Sequence, residues 1–224
     1  MIGAIPTRRL LWGGIAGPVL FVAIFLVEGA TRPGYDPVRH FVSLLSLGDG
    51  GWVQVANFLV SGTLIAAFGV GLERRRAADR GSRWTPRLIV VAGVALVASG
   101  VFSGDPALGY PPGAPSGMPT DASWHAGLHY VGSLVFFLGL PAAMILVARQ
   151  AGRSGDRLRA AYALGSGLVM VAFWMAPFAL TAAGASQVAG LLQRVAVLGG
   201  FQWLVVAAFV ELGATVQLPA RAEA

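Results

Sequence analysis

Two histidines four residues apart, His125 and His129, form the pair of side chains whose spacing points most directly to chemistry. On a helix this spacing places both imidazoles on one face, about 6 Å apart. Zinc sites on helices use the same spacing. The third ligand could be His40 or Asp105. With His40, the pattern predicts a zinc site in which Asp105 activates or positions a water. The alternative interpretation is that each histidine hydrogen-bonds a loop carbonyl.

A second pair of ionisable residues, Glu28 and Arg194, lies near the ends of two apolar runs. A charge at that depth in a membrane requires a partner. We expect the two side chains to pair with each other; alternatively, they recognise a charged ligand.

Further polar residues follow the first apolar run or lie within the second. Asn57 and Ser61 are four residues apart, which interhelical hydrogen bonding explains. Candidate ligand contacts are the polar side chains near one end of the runs: Glu28, Arg39, His40, Ser43, Asn57 and Arg194. Candidate catalytic residues are Asp105 and His129.

The composition indicates that membrane-spanning segments must position these polar side chains. Of the 224 residues, 56% are hydrophobic and 12% are charged, whereas soluble domains carry about 25% charge. Such a chain requires a bilayer as its solvent. With no cysteine, it has neither a disulfide framework nor a thiolate metal site.

Six segments are long and apolar enough to span a membrane, which needs about 20 residues as a helix. The sequence therefore predicts a single all-α integral membrane domain over residues 1–224. The predicted helices are residues 10–30, 52–72, 87–102, 126–148, 158–180 and 191–215. Gly13 and Gly17 add a face of small residues for close helix packing.

The basic residues predict the orientation. All sixteen are arginines, and they cluster at the ends of the apolar runs, which argues against nucleic-acid binding. Thirteen fall on one side of the predicted bundle: Arg8, Arg9, Arg74, Arg75, Arg76, Arg80, Arg83, Arg87, Arg149, Arg153, Arg157, Arg159 and Arg221. Only Arg32, Arg39 and Arg194 fall on the other. The positive-inside rule then places both termini in the cytoplasm. Arginine without lysine, together with many alanine and glycine residues, suggests a bacterial source, so we expect a bacterial plasma membrane protein.

Two extracytoplasmic loops follow from this topology. The first loop has an apolar stripe of Phe41, Val42, Leu44, Leu45 and Leu47. This stripe predicts a short amphipathic helix over residues 37–47, in the interface or dipping into the bundle. Its polar face would carry Arg39, His40 and Ser43. The second loop, which follows the third span, is rich in proline and glycine and contains Asp105 and Asp121 but no basic residue. We expect it to cap the outer mouth of the bundle.

Two stretches of the sequence resemble the membrane family known as domain of unknown function 998. They are RPGYDPVRHFVSLLSLG at 32–48 with GWVQVANFLVSG at 51–62, and GVFSGDP at 100–106 with HAGLH at 125–129. The resemblance extends over roughly residues 10–215 and implies a bacterial six-helix membrane protein. The family pattern emphasises four of the polar residues: Ser43, Asn57, Asp105 and His129. It favours His129 and Asp105 over a complete three-histidine site.

Three functions are compatible with these features. The first is binding or transport of a lipid or small amphiphile in an extracytoplasmic-facing pocket. The second is a metal-dependent hydrolase that acts on an outer-leaflet lipid, with zinc as its cofactor. The third is a non-catalytic subunit or assembly factor whose partner is another membrane protein. The sequence leaves open whether the protein is an enzyme.

Overall fold

A computed structural model describes residues 5–76, 83–182 and 186–216. Its six α-helices are α1 Thr7–Thr31, α2 Gly51–Arg76, α3 Trp84–Val101, α4 Trp124–Arg153, α5 Arg157–Ala182 and α6 Ala189–Val216. Each is long and apolar enough to cross a membrane. Apart from an isolated bridge between Ala107 and Tyr110, the described residues contain no β-structure. The prediction of an all-helical membrane bundle with six spans is therefore confirmed.

The helices form a ring. Each packs against the next along the chain, and α1 packs against α6, which closes the circle. Small residues allow the closest approaches: a Cβ on Gly13 would lie 2.2 Å from the Leu64 carbonyl oxygen, and one on Gly17 would lie 2.9 Å from that of Ser61. The predicted small-residue face of α1 thus packs against α2.

Aromatic side chains fill the middle of the ring. Phe21 of α1 lies 5.2 Å from Phe58 of α2 and 5.3 Å from Phe201 of α6, measured between ring centroids. Phe136 of α4 lies 5.9 Å from Phe201. All four side chains are at most 5% exposed, so the bundle has a closed aromatic core that joins four helices.

Two long connections cover one end of the ring, which we call the loop end. Loop L1 comprises residues 32–50 and loop L2 comprises residues 102–123. The loops are tied together by the contact of His40 Nε2 with the Leu108 carbonyl oxygen and by the hydrogen bond that Arg39 donates to the Ser116 carbonyl oxygen. The start of α1 and the connection between α4 and α5 lie at the opposite end, the arginine end. Arg80 and Arg221 fall outside the described residues.

The helix predicted over residues 37–47 is shorter than expected. L1 contains a five-residue 3₁₀ helix, Val42–Ser46, preceded by a turn. The turn closes because Asp36 donates its N–H to Nδ1 of His40 while His40 donates its N–H to the Asp36 carbonyl. Phe41 is extended and separates the turn from the helix. Of the predicted polar face, only Ser43 lies on the helix.

Candidate functional site

A cavity of about 390 Å³ lies at the loop end of the ring, between α4, α5, α6, the 3₁₀ helix and L2. Its polar lining comes from Ser43, Asp105, His129, Tyr130, Ser133 and Gln193. Three residues that the sequence singled out, Ser43, Asp105 and His129, therefore meet at one cavity although 86 positions separate the first from the last. This is the candidate site.

His129 is held by the end of the neighbouring helix. Its Nδ1 lies 2.8 Å from the Ser99 carbonyl oxygen and 2.9 Å from that of Phe102. Both oxygens belong to the C-terminal turn of α3 or the residue that follows it, where carbonyls lack intrahelical partners. Because two acceptors face Nδ1, we assign the ring hydrogen to that atom. In the neutral ring Nε2 is then an acceptor, and it lies on the side of Gly104, which lines the cavity.

Asp105 anchors the start of α4. Its carboxylate accepts hydrogen bonds from the backbone N–H of Ser123 at 2.8 Å and from the Ser123 hydroxyl at 2.6 Å. Ser123 is in turn the N-cap of α4, since its Oγ accepts the N–H of Ala126. The two hydrogen bonds from Ser123 hold the pKa of Asp105 below its ordinary value of 3.8. The carboxylate is therefore ionised at neutral pH.

The cavity has an apolar wall that reaches the outside of the ring. Val131 and Leu134 of α4 and Phe178 of α5 line it, yet they are 56%, 45% and 47% exposed. Side chains that line a cavity and also face outward mark its rim. The cavity therefore opens sideways between α4 and α5, on the surface that faces lipid in a membrane.

Inward, the cavity continues towards the aromatic core. Ser43, Ser133 and Gln193 also line a small pocket of about 30 Å³ that Phe136 and Phe201 close. Gln193 is held in place because its side-chain oxygen accepts the N–H of Val42 at 2.7 Å. The cavity thus has an apolar opening, a polar interior and an aromatic floor.

The expected pairing of Glu28 with Arg194 is wrong. Glu28 pairs instead with Arg32, one helical turn further along the chain, at 2.5 Å. Arg32 also donates to the carbonyl oxygens of Asp49 and Gly50. The Glu28–Arg32 pair therefore fastens the end of α1 to the end of L1.

Arg194 binds neutral groups at the base of L1. Its guanidinium donates to the carbonyls of His40 and Gly190 at 3.0 Å and to the Tyr35 hydroxyl at 2.7 Å. It also lies over the rings of Phe25 and Tyr35. Burial raises the pKa of Tyr35 to about 12, against the opposing effect of Arg194. Arg194 is 7% exposed and does not line the cavity, so its role here is to hold the loop.

His40 lies between the two loops. Its Nδ1 accepts the Asp36 N–H at 2.8 Å, and its Nε2 lies 3.1 Å from the Leu108 carbonyl oxygen. These contacts assign a neutral ring with the hydrogen on Nε2. Burial lowers the pKa of His40 below 6.5, against the opposing effects of the Leu108 hydrogen bond and Asp36.

The structure does not gather the predicted zinc ligands. His40 faces Leu108, His129 faces Ser99, and His125 Nδ1 lies 3.0 Å from the carbonyl oxygen of Ser103. Across the described ranges, no group of three or more histidine, aspartate and glutamate side chains is placed to hold a metal ion. The alternative interpretation, a loop or helix-end carbonyl for each histidine, describes the contacts that are present.

Asn57 and Ser61 form the predicted interhelical connection. Asn57 of α2 donates to the Phe21 carbonyl of α1 at 3.1 Å and to the side-chain oxygen of Gln54, and Ser61 donates to Asn57. All three polar side chains are at most 1% exposed. Asn57 lies away from the cavity lining, so it stabilises the contact between α1 and α2.

Four site residues escaped the sequence analysis: Ser123, Tyr130, Ser133 and Gln193. Tyr130 directly follows His129 in the sequence. Ser133 follows His129 by four positions on α4, a spacing that could have placed it on the same face. Ser123 lies at the start of an apolar run, where an N-cap is expected. Nothing in the sequence distinguishes Gln193 from other polar residues at helix ends.

A larger cavity of about 460 Å³ lies towards the arginine end, between α5, α6 and the interior of the ring. Leu72, Ile89, Val147 and Trp203 form its inner wall. It is apolar apart from residues at its rim and the buried Thr85, and it contains none of the predicted site residues. The loop-end cavity is therefore the candidate site, because the predicted polar residues line it and it opens towards lipid.

The ring of six membrane-spanning helices with a lateral cavity defines the chain as a multi-pass membrane protein. It belongs to the family described as protein of unknown function DUF998, whose model matches residues 15–210. No curated protein and no solved structure matches the chain.

Proposed function

We propose that this membrane protein binds a lipid or small amphiphile in the loop-end cavity. The observation that carries the proposal is the mixed lining of the cavity: an apolar wall at the lateral opening and convergent polar groups behind it. Sites for small molecules have this character, and volumes of about 300–1,000 Å³ are typical of them.

The geometry favours a ligand that enters from the bilayer. The rim residues Val131, Leu134 and Phe178 belong to the lipid-facing surface, so a hydrocarbon chain can remain among them. A headgroup can then reach Asp105 and His129 beneath L2. An amphiphile matches both parts of the lining. A fully polar ligand would make no favourable contact with the apolar wall.

Binding is better supported than passage across the membrane. Transport would need a route from the loop end to the arginine end. The aromatic core of Phe21, Phe58, Phe136 and Phe201 separates the two cavities in this conformation. Transport would therefore require those side chains to move, while binding requires no rearrangement.

The orientation forms part of the proposal. The arginine distribution favours both termini in the cytoplasm of a plasma membrane. The cavity would then serve the outer leaflet, and its ligand would be a component of that leaflet or would arrive from outside the cell.

The experiment measures binding of a fluorescent single-chain amphiphile to the purified protein in nanodiscs. Ser133→Leu places a bulky side chain where the cavity narrows and is expected to weaken binding about tenfold or more. The matched control, Ala207→Leu, fills the other cavity in the same way and should leave the affinity within about twofold. Equal affinities for Ser133→Leu and the unaltered protein would contradict the proposal.

A further inference from the structure

The polar lining of the loop-end cavity carries one negative charge, and the hydroxyl and amide groups around it are neutral. Asp105 is the single charged side chain in the lining, and neither arginine nor lysine is among the described residues that form it. Within the described part of the chain, Asp105 accepts hydrogen bonds from Ser123 but forms no ion pair. The carboxylate is only partly buried, so it stays ionised, and a cation in the cavity would gain a favourable electrostatic contact with it.

The second polar group is also an acceptor on the cavity side. Nδ1 of His129 is directed at two carbonyl oxygens and therefore carries the ring hydrogen. In the neutral ring, Nε2 then has a free lone pair that can accept a hydrogen bond. The hydroxyl of Ser43 can rotate to accept a third hydrogen bond. A ligand group that matches this set must donate several hydrogen bonds and carry positive charge.

Aromatic rings complete the surroundings. Tyr130, Trp174 and Phe178 line the cavity on the side of its opening. Trp174 stacks on Phe137 at 5.1 Å with an interplanar angle of 7° and has Phe178 against its edge. Cations bind favourably to the faces of such rings, and quaternary and primary ammonium groups are recognised in this way.

We infer that the cavity selects amphiphiles with an ammonium headgroup, held by the Asp105 carboxylate and Nε2 of His129. This inference rests on the proposed amphiphile-binding function and adds the chemical class of the headgroup. An ammonium places a positive charge opposite Asp105 and supplies three N–H donors for the carboxylate and Nε2 of His129. A phosphate would place a second negative charge beside Asp105, which is unfavourable.

The experiment compares dodecyl amphiphiles that differ only in the headgroup: dodecylammonium, dodecyl phosphate and dodecyl glucoside. Binding is measured at pH 7 in nanodiscs of zwitterionic lipid, with Ser133→Leu to subtract partition into the bilayer. Dodecylammonium is expected to bind about tenfold or more tightly than the other two. Methylammonium, the headgroup without the chain, is expected to bind far more weakly than dodecylammonium.

Asp105→Asn is expected to remove the preference, leaving dodecylammonium and dodecyl glucoside equal within about twofold. The control Asp121→Asn changes an exposed aspartate in the same loop that is outside the lining, and it should retain the preference. If Asp105→Asn does not fold, because Asp105 also anchors Ser123, Tyr130→Leu provides the test. Tyr130 is 38% exposed, and its loss should weaken dodecylammonium several-fold while sparing dodecyl glucoside.

Each remaining outcome contradicts a defined part of the account. Equal binding of dodecyl phosphate and dodecylammonium, or a preference that survives both substitutions, would overturn the ammonium selectivity and leave amphiphile binding intact. Methylammonium as tight as dodecylammonium would overturn the role of the chain. Absence of specific binding by all three dodecyl compounds would overturn the proposed function itself.

Discussion

Nδ1 of His129 on α4 lies 2.8 Å from the carbonyl oxygen of Ser99 on α3. This contact satisfies a carbonyl in the last turn of α3 and at the same time orients the other ring nitrogen towards Gly104 and the cavity. One hydrogen bond thus combines a structural function for Nδ1 with the ligand-binding function that we propose for Nε2. The two functions can be separated by substitution.

His129→Asn should separate them. The asparagine amide can donate to the Ser99 carbonyl from about the position of Nδ1, but it has no atom at the position of Nε2. We expect a melting temperature close to that of the unaltered protein and amphiphile binding weakened about tenfold. His129→Ala should lose both the hydrogen bond to Ser99 and the contact with the amphiphile. The free energy of unfolding should fall by about 1–3 kcal/mol, because the carbonyls are left unpaired. Thermal unfolding in detergent and the binding assay together distinguish the two variants.

The pairing of Glu28 predicts the result of a double-mutant cycle. Glu28→Gln and Arg32→Gln should be non-additive, with a coupling of about 1–3 kcal/mol, because the two side chains are in contact and mostly buried. Glu28→Gln and Arg194→Gln should be additive within about 0.5 kcal/mol, since Arg194 binds Tyr35 and His40 instead. A strong coupling in the second cycle and none in the first would show that the pairing is wrong.

His40 predicts a dependence of stability on pH. Because burial lowers its pKa, the unfolded chain takes up a proton at a higher pH than the folded protein does. The contribution of His40 to stability is therefore complete above about pH 6.5 and is lost as the pH falls below that value. Between pH 7.5 and pH 5.5 the melting temperature of the unaltered protein should therefore fall further than that of His40→Asn.

The control for this measurement is His125→Asn, which alters the histidine that contacts Ser103 and Ser123. It should retain the pH dependence of the unaltered protein. If His40→Asn and the unaltered protein lose the same stability over this range, protonation of His40 does not limit the stability of the contact between L1 and L2.

The orientation can be measured with single cysteines, because the chain contains none of its own. Ser116→Cys lies at the loop end and Ser154→Cys at the arginine end, and both positions are exposed. A membrane-impermeant maleimide applied to intact cells should label Ser116→Cys, while Ser154→Cys should react only after the cells are lysed. The reverse pattern would place the cavity on the cytoplasmic side.

The spans were predictable because the membrane imposes a simple requirement on sequence. A run of about 20 apolar residues is nearly sufficient for a helix in lipid, where each backbone polar group must be satisfied internally. The face of Gly13 and Gly17 was also readable, since close packing of helices demands small residues. The predicted helix was too long because it was extended from the apolar stripe of residues 41–47 back to residue 37. The hydrogen bonds between Asp36 and His40 close a turn there instead.

The candidate site was predictable only in part. Ser43, Asp105 and His129 could be selected as polar residues near helix ends, and they do meet at one cavity. Their partners could not be deduced, because Ser99 and Phe102 contribute backbone carbonyls, which every residue possesses. The partner of Arg194 was predicted wrongly for the same reason. Opposite charge pointed to Glu28, whereas L1 packs so that Arg194 donates to a backbone carbonyl and to the Tyr35 hydroxyl.

The most direct measurement of the central claim is photocrosslinking of a dodecylammonium that carries a diazirine next to its headgroup, followed by mass spectrometry of the labelled peptides. The account predicts labelling around Met118, Tyr130 and Phe178, which line the loop-end cavity, and loss of this labelling in Ser133→Leu. Labelling confined to Val206 and Val210 at the other cavity, or spread evenly over all lipid-facing helices, would contradict it.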